Sequence, residues 1–240
     1  MKNSIFLIPL YNKSSSLQQT VEFLKKKFEN KNSSEKFLFV ENGSTDGSYE
    51  NILSLTEGDS RFHVIKSKKG FGVAIKSGMN YINENFLLEN SILILTASDL
   101  PFGFSDLEYC FNLDEFNKHD IYLGSKAHPH SKVERTAVRV TLSKIFNTFL
   151  KLFFGIRLND TQGTCLIDLD KVDINKIIPK SNSFFSTAEI CIIANRAGYK
   201  IIEIPVIHEK TINDKSTVRI FSDSLNMFKE LILFKLNENY

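Results

Sequence analysis

The stretch LTASDLPF, Leu95–Phe102, places one carboxylate, Asp99, where an apolar run ends. A carboxylate there has two chemical uses. It can hold a divalent cation against a diphosphate, or it can cap a following helix, a role open also to Ser98 and Ser105, and SDLP taken alone favours the cap. Three other stretches put reactive residue types at similar positions. IPLYN offers Pro9, Tyr11 and Asn12, and the tyrosine ring can flank a nucleobase or simply pack on a loop. VENGSTDGS sets Glu41 and Asn42 ahead of Gly43 and Gly47. A carboxylate there accepts hydrogen bonds from ribose hydroxyls or a base N–H, or else belongs to a capped turn. In SKKGFGVAIKSG, Gly70 and Gly72 let the backbone approach a ligand closely while Lys68 or Lys69 meets a phosphate. The pattern is a degenerate dinucleotide fingerprint, but it follows the third apolar run rather than the first, and its third glycine is displaced to Gly78. Arg135 and Arg139 follow GSK, Gly124–Lys126, and that setting favours an anion site over a merely solvated face, because arginine meets phosphate with a two-pronged donor geometry. His128 and His130, without an acidic or cysteine partner to complete a metal site, read as loop residues.

These residues must be positioned by regular elements. Apolar runs rich in β-branched and aromatic residues fall at Ile5–Pro9, Phe37–Val40, Phe62–Ile65, Ile92–Leu95 and Ile121–Leu123. Stretches of helical period alternate with the first four, as in Leu17, Val21, Leu24 and Phe28, or Val73, Ile75, Met79 and Ile82. The alternation predicts an α/β fold with a mostly parallel sheet flanked by helices, in which ligands bind beyond the carboxyl ends of the strands. The second half predicts helices over about Thr136–Phe154, Ser186–Ala197 and Ile220–Leu236, a strand at Lys200–Val206 and a loop at Glu209–Arg219. The last helix has Phe221, Leu225, Phe228, Leu231, Ile232 and Phe234 available for one broad face.

With 240 residues, 42% hydrophobic and 24% charged, the chain reads as one globular domain. A formal net charge of +2 argues against nucleic acid as the main partner. Three widely spaced cysteines, Cys110, Cys165 and Cys191, support neither a disulfide framework nor a zinc ribbon and fit a reducing cytoplasm. No window approaches the roughly 20 apolar residues that cross a bilayer, so membrane contact is expected only at the surface.

Taken in order, the motifs resemble those of family 2 glycosyltransferases of the GT-A fold, over nearly the whole chain. IPLYNK is similar to IPxYNE, with Lys13 in place of the acid; VENGSTDGS is similar to VDDGSTDGT; and KKGFGVAIKSG is similar to NxGkGxAxxxG. The second half resembles the branch containing dolichyl-phosphate mannose and glucose synthases and bacterial polyprenyl-phosphate glycosyltransferases. There GSR precedes an Arg and a Ser four residues apart, matched by GSK with Arg139 and Ser143. NDTQGT resembles DTQCGFK and retains Asp160, Thr161 and Gln162. STAEICIIANRAGYKIIEIPV resembles FDxELLxxAxxxGYxIxEVPV, with Glu189 at the acid, and DKSTVR resembles a basic loop that closes over the donor diphosphate. Two departures stand out: Ala97 replaces the first acid of the family's Asp-x-Asp, and Pro101 stands where dolichyl-phosphate mannose synthases have Gln.

The resemblance implies a nucleotide-sugar-binding half over about residues 1–100 and an acceptor half over about 101–240. It implies an inverting transfer from a UDP- or GDP-sugar to a polyprenyl phosphate. Pro9, Tyr11 and Glu41 would hold the nucleoside. Lys69, and Asp99 through Mg²⁺ or Mn²⁺, would hold the diphosphate, and Lys215 and Arg219 would close over it. A Mg²⁺ ion needs only one or two protein carboxylates beside phosphates and water, and the basic residues are the alternative source of positive charge. Lys126, Arg139 and Ser143 would position a lipid phosphate, which needs no general base. A glycan hydroxyl would need one, with Asp160 or Glu189 as candidates. The competing expectations are transfer to such a hydroxyl, a catalytically weak sugar-nucleotide-binding module and, more distantly, an NAD-dependent dehydrogenase. The last helix is expected to lie on the inner membrane face, dock on a membrane partner or pack on the domain itself.

Overall fold

A computed structural model describes residues 2–29, 34–112, 118–208 and 220–237. The elements run β1 (Asn3–Leu10), α1 (Leu17–Lys27), β2 (Lys36–Glu41), α2 (Ser48–Thr56), β3 (Phe62–Lys66), α3 (Phe71–Asn85), β4 (Ser91–Leu95) and α4 (Ser105–Phe111). They continue with β5 (Ile121–Ser125), α5 (Ala137–Phe154), β6 (Cys165–Asp168), α6 (Phe185–Arg196), β7 (Ile201–Pro205) and α7 (Ile220–Asn237). The strands form one seven-stranded sheet in the order β3-β2-β1-β4-β6-β5-β7. Every neighbouring pair is parallel except those that β6 makes, since it runs antiparallel to both β4 and β5.

Strand periodicity of two splits each central strand between two cores. From β1 and β2, Ile5, Leu7, Leu38 and Val40 pack against Ala74, Ile75 and Met79 of α3 and Ile190 of α6. The alternate residues Phe6, Ile8, Phe37 and Phe39 pack on the other side against Leu17, Val21 and Leu24 of α1, Ile52 of α2 and Leu107 of α4. A third cluster lies off the sheet, where Phe146 and Leu150 of α5, Leu231 of α7 and Phe185, Ala188 and Ile192 of α6 meet.

Each expected strand and helix forms, and β6 and α4 add to them. The direction of β6 was not visible in NDTQGTCLIDLD. Its register, with Cys165 opposite Leu95 and Asp168 opposite Ile92, starts β6 beside the end of β4. That reversal carries residues 160–164 to the same edge as Asp99. The expected loop Glu209–Arg219 lies outside the described residues.

Candidate active site

The loop leaving β4 is the floor of the site. Thr96 N donates to Leu7 O at 3.2 Å, and the Thr20 hydroxyl donates to Ser98 O at 2.9 Å. Leu100 and Phe104 adopt left-handed φ values of 43° and 71°. Such values are costly for bulky side chains, and burial of both, at 1% and 4% exposure, offsets the cost. Phe104 is the N-cap of α4, and no side chain caps that helix. Capping by Ser98, Asp99 or Ser105 is therefore corrected. Asp99 lies well before the helix and lines a cavity of about 580 Å³.

The polar wall comes from Lys126, just after β5, and from the loop before β6. Glu203 on β7 accepts from Asn159 N at 3.0 Å and Asp160 N at 2.9 Å, fixing the turn. Asp160 is buried and accepts from Lys126 N at 3.0 Å, Gln162 N at 2.9 Å and Lys126 Nζ at 2.9 Å. Lys126 Nζ also donates to Gln162 O at 2.8 Å, and Gln162 Nε2 donates to Thr187 Oγ1 at 2.6 Å. Here the chain passes so close to β5 that a Cβ at Gly163 would fall 1.7 Å from Gly124 O. Lys126 and Asp160 thus line the cavity as a mutually neutralising pair, not as a free cation and a free base.

The cationic end comes from the start of α5. Thr136 caps that helix, accepting from Arg139 N at 3.4 Å, so the helix N-terminus adds partial positive charge. Arg135 Nη2 donates to Ser143 Oγ at 2.7 Å. Arg139 also lines the cavity, and among the described residues its guanidinium has no acidic partner. The wall beyond these groups is apolar: Leu142 and Phe146 of α5, with Met227 and Phe228 of α7. Phe71 and Phe184, stacked at 4.7 Å between centroids, close another side.

The nucleoside-side residues gather on the neighbouring strand tips. Lys69 Nζ sits 5.0 Å over the Tyr11 ring, and the Gly43 backbone abuts Lys69, whose Cβ lies 3.1 Å from where a Gly43 Cβ would be. Two loops are sewn together here: Asn12 N donates to Ser44 Oγ at 3.0 Å, Thr45 N to Asn12 Oδ1 at 2.8 Å, Lys13 N to Ser48 Oγ at 2.8 Å and Ser14 N to Asp46 Oδ2 at 3.0 Å. Although partial burial opposes it, hydrogen bonds from Ser48 and Ser14 hold the Asp46 carboxyl below its usual range. Glu41 is buried and accepts from Ser44 N, so it braces the turn from within. Pro9 lies inside β1, paired with Val40. Because β2, β1 and β4 are adjacent, these tips and the Asp99 loop share one sheet edge.

Three expectations need correction or fall outside the structure. Glu189 is buried away from the cavity; its carboxylate accepts from Lys180 N at 2.9 Å and Ser181 N at 2.8 Å and so anchors residues 180–182. Gly70 and Gly72 make room for that same segment rather than for a ligand, since a Cβ at Gly72 would lie 2.1 Å from Ser181 O. Lys215 and Arg219 lie outside the described residues. Of the apolar wall, the sequence singles out Phe228 alone, as part of the last helix's apolar face, and it does not single out Thr187. Leu142 and Phe146 were visible only as helix periodicity, and nothing local distinguishes Thr187.

Among the described residues no group of three or more His, Cys, Asp or Glu side chains forms a metal cage. Ala97 offers no side-chain ligand, and Asp99 is the acidic residue of that loop that lines the cavity. An oxygen donor of that kind suits a hard divalent ion whose remaining positions are filled by phosphate oxygens and water.

Residues 5–171 match the sequence model of glycosyl transferase family 2. A curated relative, the glycosyltransferase AglD of Haloferax volcanii, is 23% identical over 231 residues, which are 94% of this chain and 36% of that protein. The chain thus spans about a third of that relative's length. Glucosyl-3-phosphoglycerate synthase from Mycobacterium tuberculosis, solved with UDP, superposes with a TM-score of 0.66 at 10% identity, covering 98% of this chain and 80% of that one. The same enzyme with phosphoglyceric acid gives 0.68 at 11% identity, covering 96% and 79%. At these identities the likeness establishes the fold.

Proposed function

The chain belongs to glycosyl transferase family 2, and from that premise we propose that it is an inverting transferase moving a sugar from a nucleoside diphosphate to a lipid phosphate of the polyprenyl type. One observation carries the choice of acceptor: a single cavity joins a cationic end, Arg135, Arg139 and the α5 N-terminus, to an apolar wall, Leu142, Phe146, Met227 and Phe228. A phosphate head with a hydrocarbon tail fits that polarity.

In transfer, the bond between the anomeric carbon and the donor phosphate breaks, and negative charge develops on the departing diphosphate. A divalent ion on Asp99 would neutralise part of that charge. Lys69, beside Tyr11, supplies fixed positive charge at the donor edge, and Lys215 and Arg219 are assigned to cover it. A phosphate oxygen of the acceptor is already anionic at neutral pH, so attack requires alignment rather than proton removal. Arg139 binds it with two donors. Arg135 donates to Ser143 and so fixes the hydroxyl that faces the same anion. Asp160, fully engaged by Lys126 and Gln162, keeps the wall in shape.

A second reading has one observation in its favour, the fold shared with an enzyme solved with phosphoglyceric acid, whose small phosphorylated acceptor would also meet Arg139. The two separate in one assay. Protein is incubated with labelled UDP- or GDP-sugars, Mg²⁺ or Mn²⁺, and either a short polyprenyl phosphate or 3-phosphoglycerate. The expected result is label partitioning into organic solvent, abolished by Asp99→Ala. Label that remains water-soluble with the lipid present overturns the lipid reading. Nucleotide-dependent thermal stabilisation with no transfer to any acceptor would make the chain a binding module.

A further inference from the structure

Three positions at which the sequence departs from the motif patterns meet in one place. Ala97 replaces the first acid of Asp-x-Asp, Pro101 stands for Gln, and Phe71 falls at the Lys of NxGkGxAxxxG. All three line the same cavity, and each exchanges a charged or amide side chain for an apolar one. Phe71 stacks on Phe184 with 4.7 Å between centroids and 28° between planes, and both half-buried rings border the cavity. The polar groups beside them are already engaged. Thr187 Oγ1 accepts from Gln162 Nε2 at 2.6 Å and donates to Phe184 O at 3.2 Å, and Asp160 is held by Lys126. One hydroxyl there is unspent: Thr161 lines the cavity at 3% exposure, and its Oγ1 has no hydrogen-bond partner among the described residues. A buried hydroxyl left so calls for a ligand group.

On the transferase reading, these groups border the donor sugar. Phe71 follows Lys69 by two residues and Ala97 precedes Asp99 by two, so both flank the side chains assigned to the diphosphate. The sugar then lies between those side chains and Arg139. Helix α7 serves the other, acceptor end of the cavity with Met227 and Phe228. It turns Leu231 and Phe234 into the third core cluster and leaves Phe221 and Leu225 exposed, so its apolar residues form two faces rather than the one expected. At the sugar end, the negative face of an aromatic ring attracts C–H groups. A sugar hydroxyl turned against Phe71 or the Ala97 methyl would lose water and gain no partner. A methyl group in its place would gain apolar contact.

We propose that the donor sugar presents a methyl group where a plain hexose presents a hydroxyl, as the C6 methyl of a 6-deoxyhexose or the acetyl methyl of a 2-acetamido sugar does. Phe71 and Ala97 receive that apolar side, and Thr161 bonds a remaining hydroxyl. The inference rests on the transferase reading but not on the nature of the acceptor. It is tested by calorimetric titration of the purified chain, in Mn²⁺, with donors paired by nucleotide: UDP-N-acetylglucosamine against UDP-glucose, and GDP-6-deoxymannose against GDP-mannose. The expected result is that the methyl-bearing member of one pair binds about tenfold tighter than its hexose, and which pair responds tells the two sugar types apart. Phe71→Ser and Ala97→Ser should each cut that preference to less than about threefold, while UDP or GDP alone binds within about twofold of wild type. Thr161→Val should weaken both members of the responding pair about tenfold, and Thr161→Ser should restore them. Equal affinity within both pairs, tighter binding of the hexose, or a preference unchanged in both Phe71→Ser and Ala97→Ser overturns the inference and leaves the transferase reading standing. Failure of every nucleotide and donor to bind removes both.

Discussion

The loops ending β1 and β2 and the helices α5 and α7 border the same sheet edge, yet they are built in opposite ways. In the loops, Asn12, Ser14, Ser44, Asp46 and Ser48 satisfy one another's backbone, and Glu41 is spent inside its own turn. Around the helices, Arg139 reaches the cavity without an acidic partner among the described residues, and large apolar side chains face outward. The difference teaches where recognition energy is kept. A nucleotide presents fixed polar groups, so a rigid, internally bonded rim can be shaped in advance. The acceptor proposed above, an anion with a long apolar appendage, would need unspent positive charge and open apolar surface.

The largest effect is expected where the two regions are welded. Gly163→Ala would drive a Cβ into the Gly124 carbonyl and should cost about 3 kcal/mol, read as lost soluble yield or a strongly lowered melting temperature. A normal melt would show that the approach of β5 to the loop before β6 is looser than described. Next, on the proposed role of Arg139 as an anion ligand, Arg139→Ala should lower kcat/KM for transfer by about 10²-fold with the melting temperature unchanged. A drop in stability instead would place it with the internally spent groups. Third, Glu189→Gln should cost about 2 kcal/mol of stability through the Lys180 and Ser181 amides. At a permissive temperature its turnover should stay within about threefold of wild type, whereas a general base would lose about 10²-fold or more.

The smallest effect is a pH dependence. Burial raises the Asp106 carboxyl above its usual range, against hydrogen bonding from Thr164 and the Leu107 N–H. With its folded pKa above its unfolded one, the group's stabilising contribution starts to fall once pH exceeds the unfolded value, where only the unfolded chain sheds its proton, and is lost as pH rises through the folded value. Asp106→Asn should therefore raise the melting temperature by a growing margin as pH climbs from about 4 toward neutrality. A gain that is flat with pH would show that the carboxyl is ionised in the folded protein.

Much of the site was legible because its residues follow apolar runs. Asp99, Tyr11, Lys69 and Arg139 sit where parallel α/β geometry must bring strand ends and a helix start to one edge, so their types and order were enough to foretell that shared placement. Glu41, Glu189, Gly70 and Gly72 stand in equally suggestive motifs, but their partners are backbone groups. Nothing in a motif says whether a carboxylate will face a ligand or an amide at Lys180.

By itself the sequence determined the alternation of strands and helices and the family, since apolar period and ordered motifs are local properties of the chain. Tertiary structure alone decided that β6 runs backward to deliver Asp160 to the cavity, that Lys126 is neutralised there, and that α7 hides one apolar face while exposing another. Each of these depends on which distant segment arrives opposite, and contact between segments far apart in the chain is settled by packing.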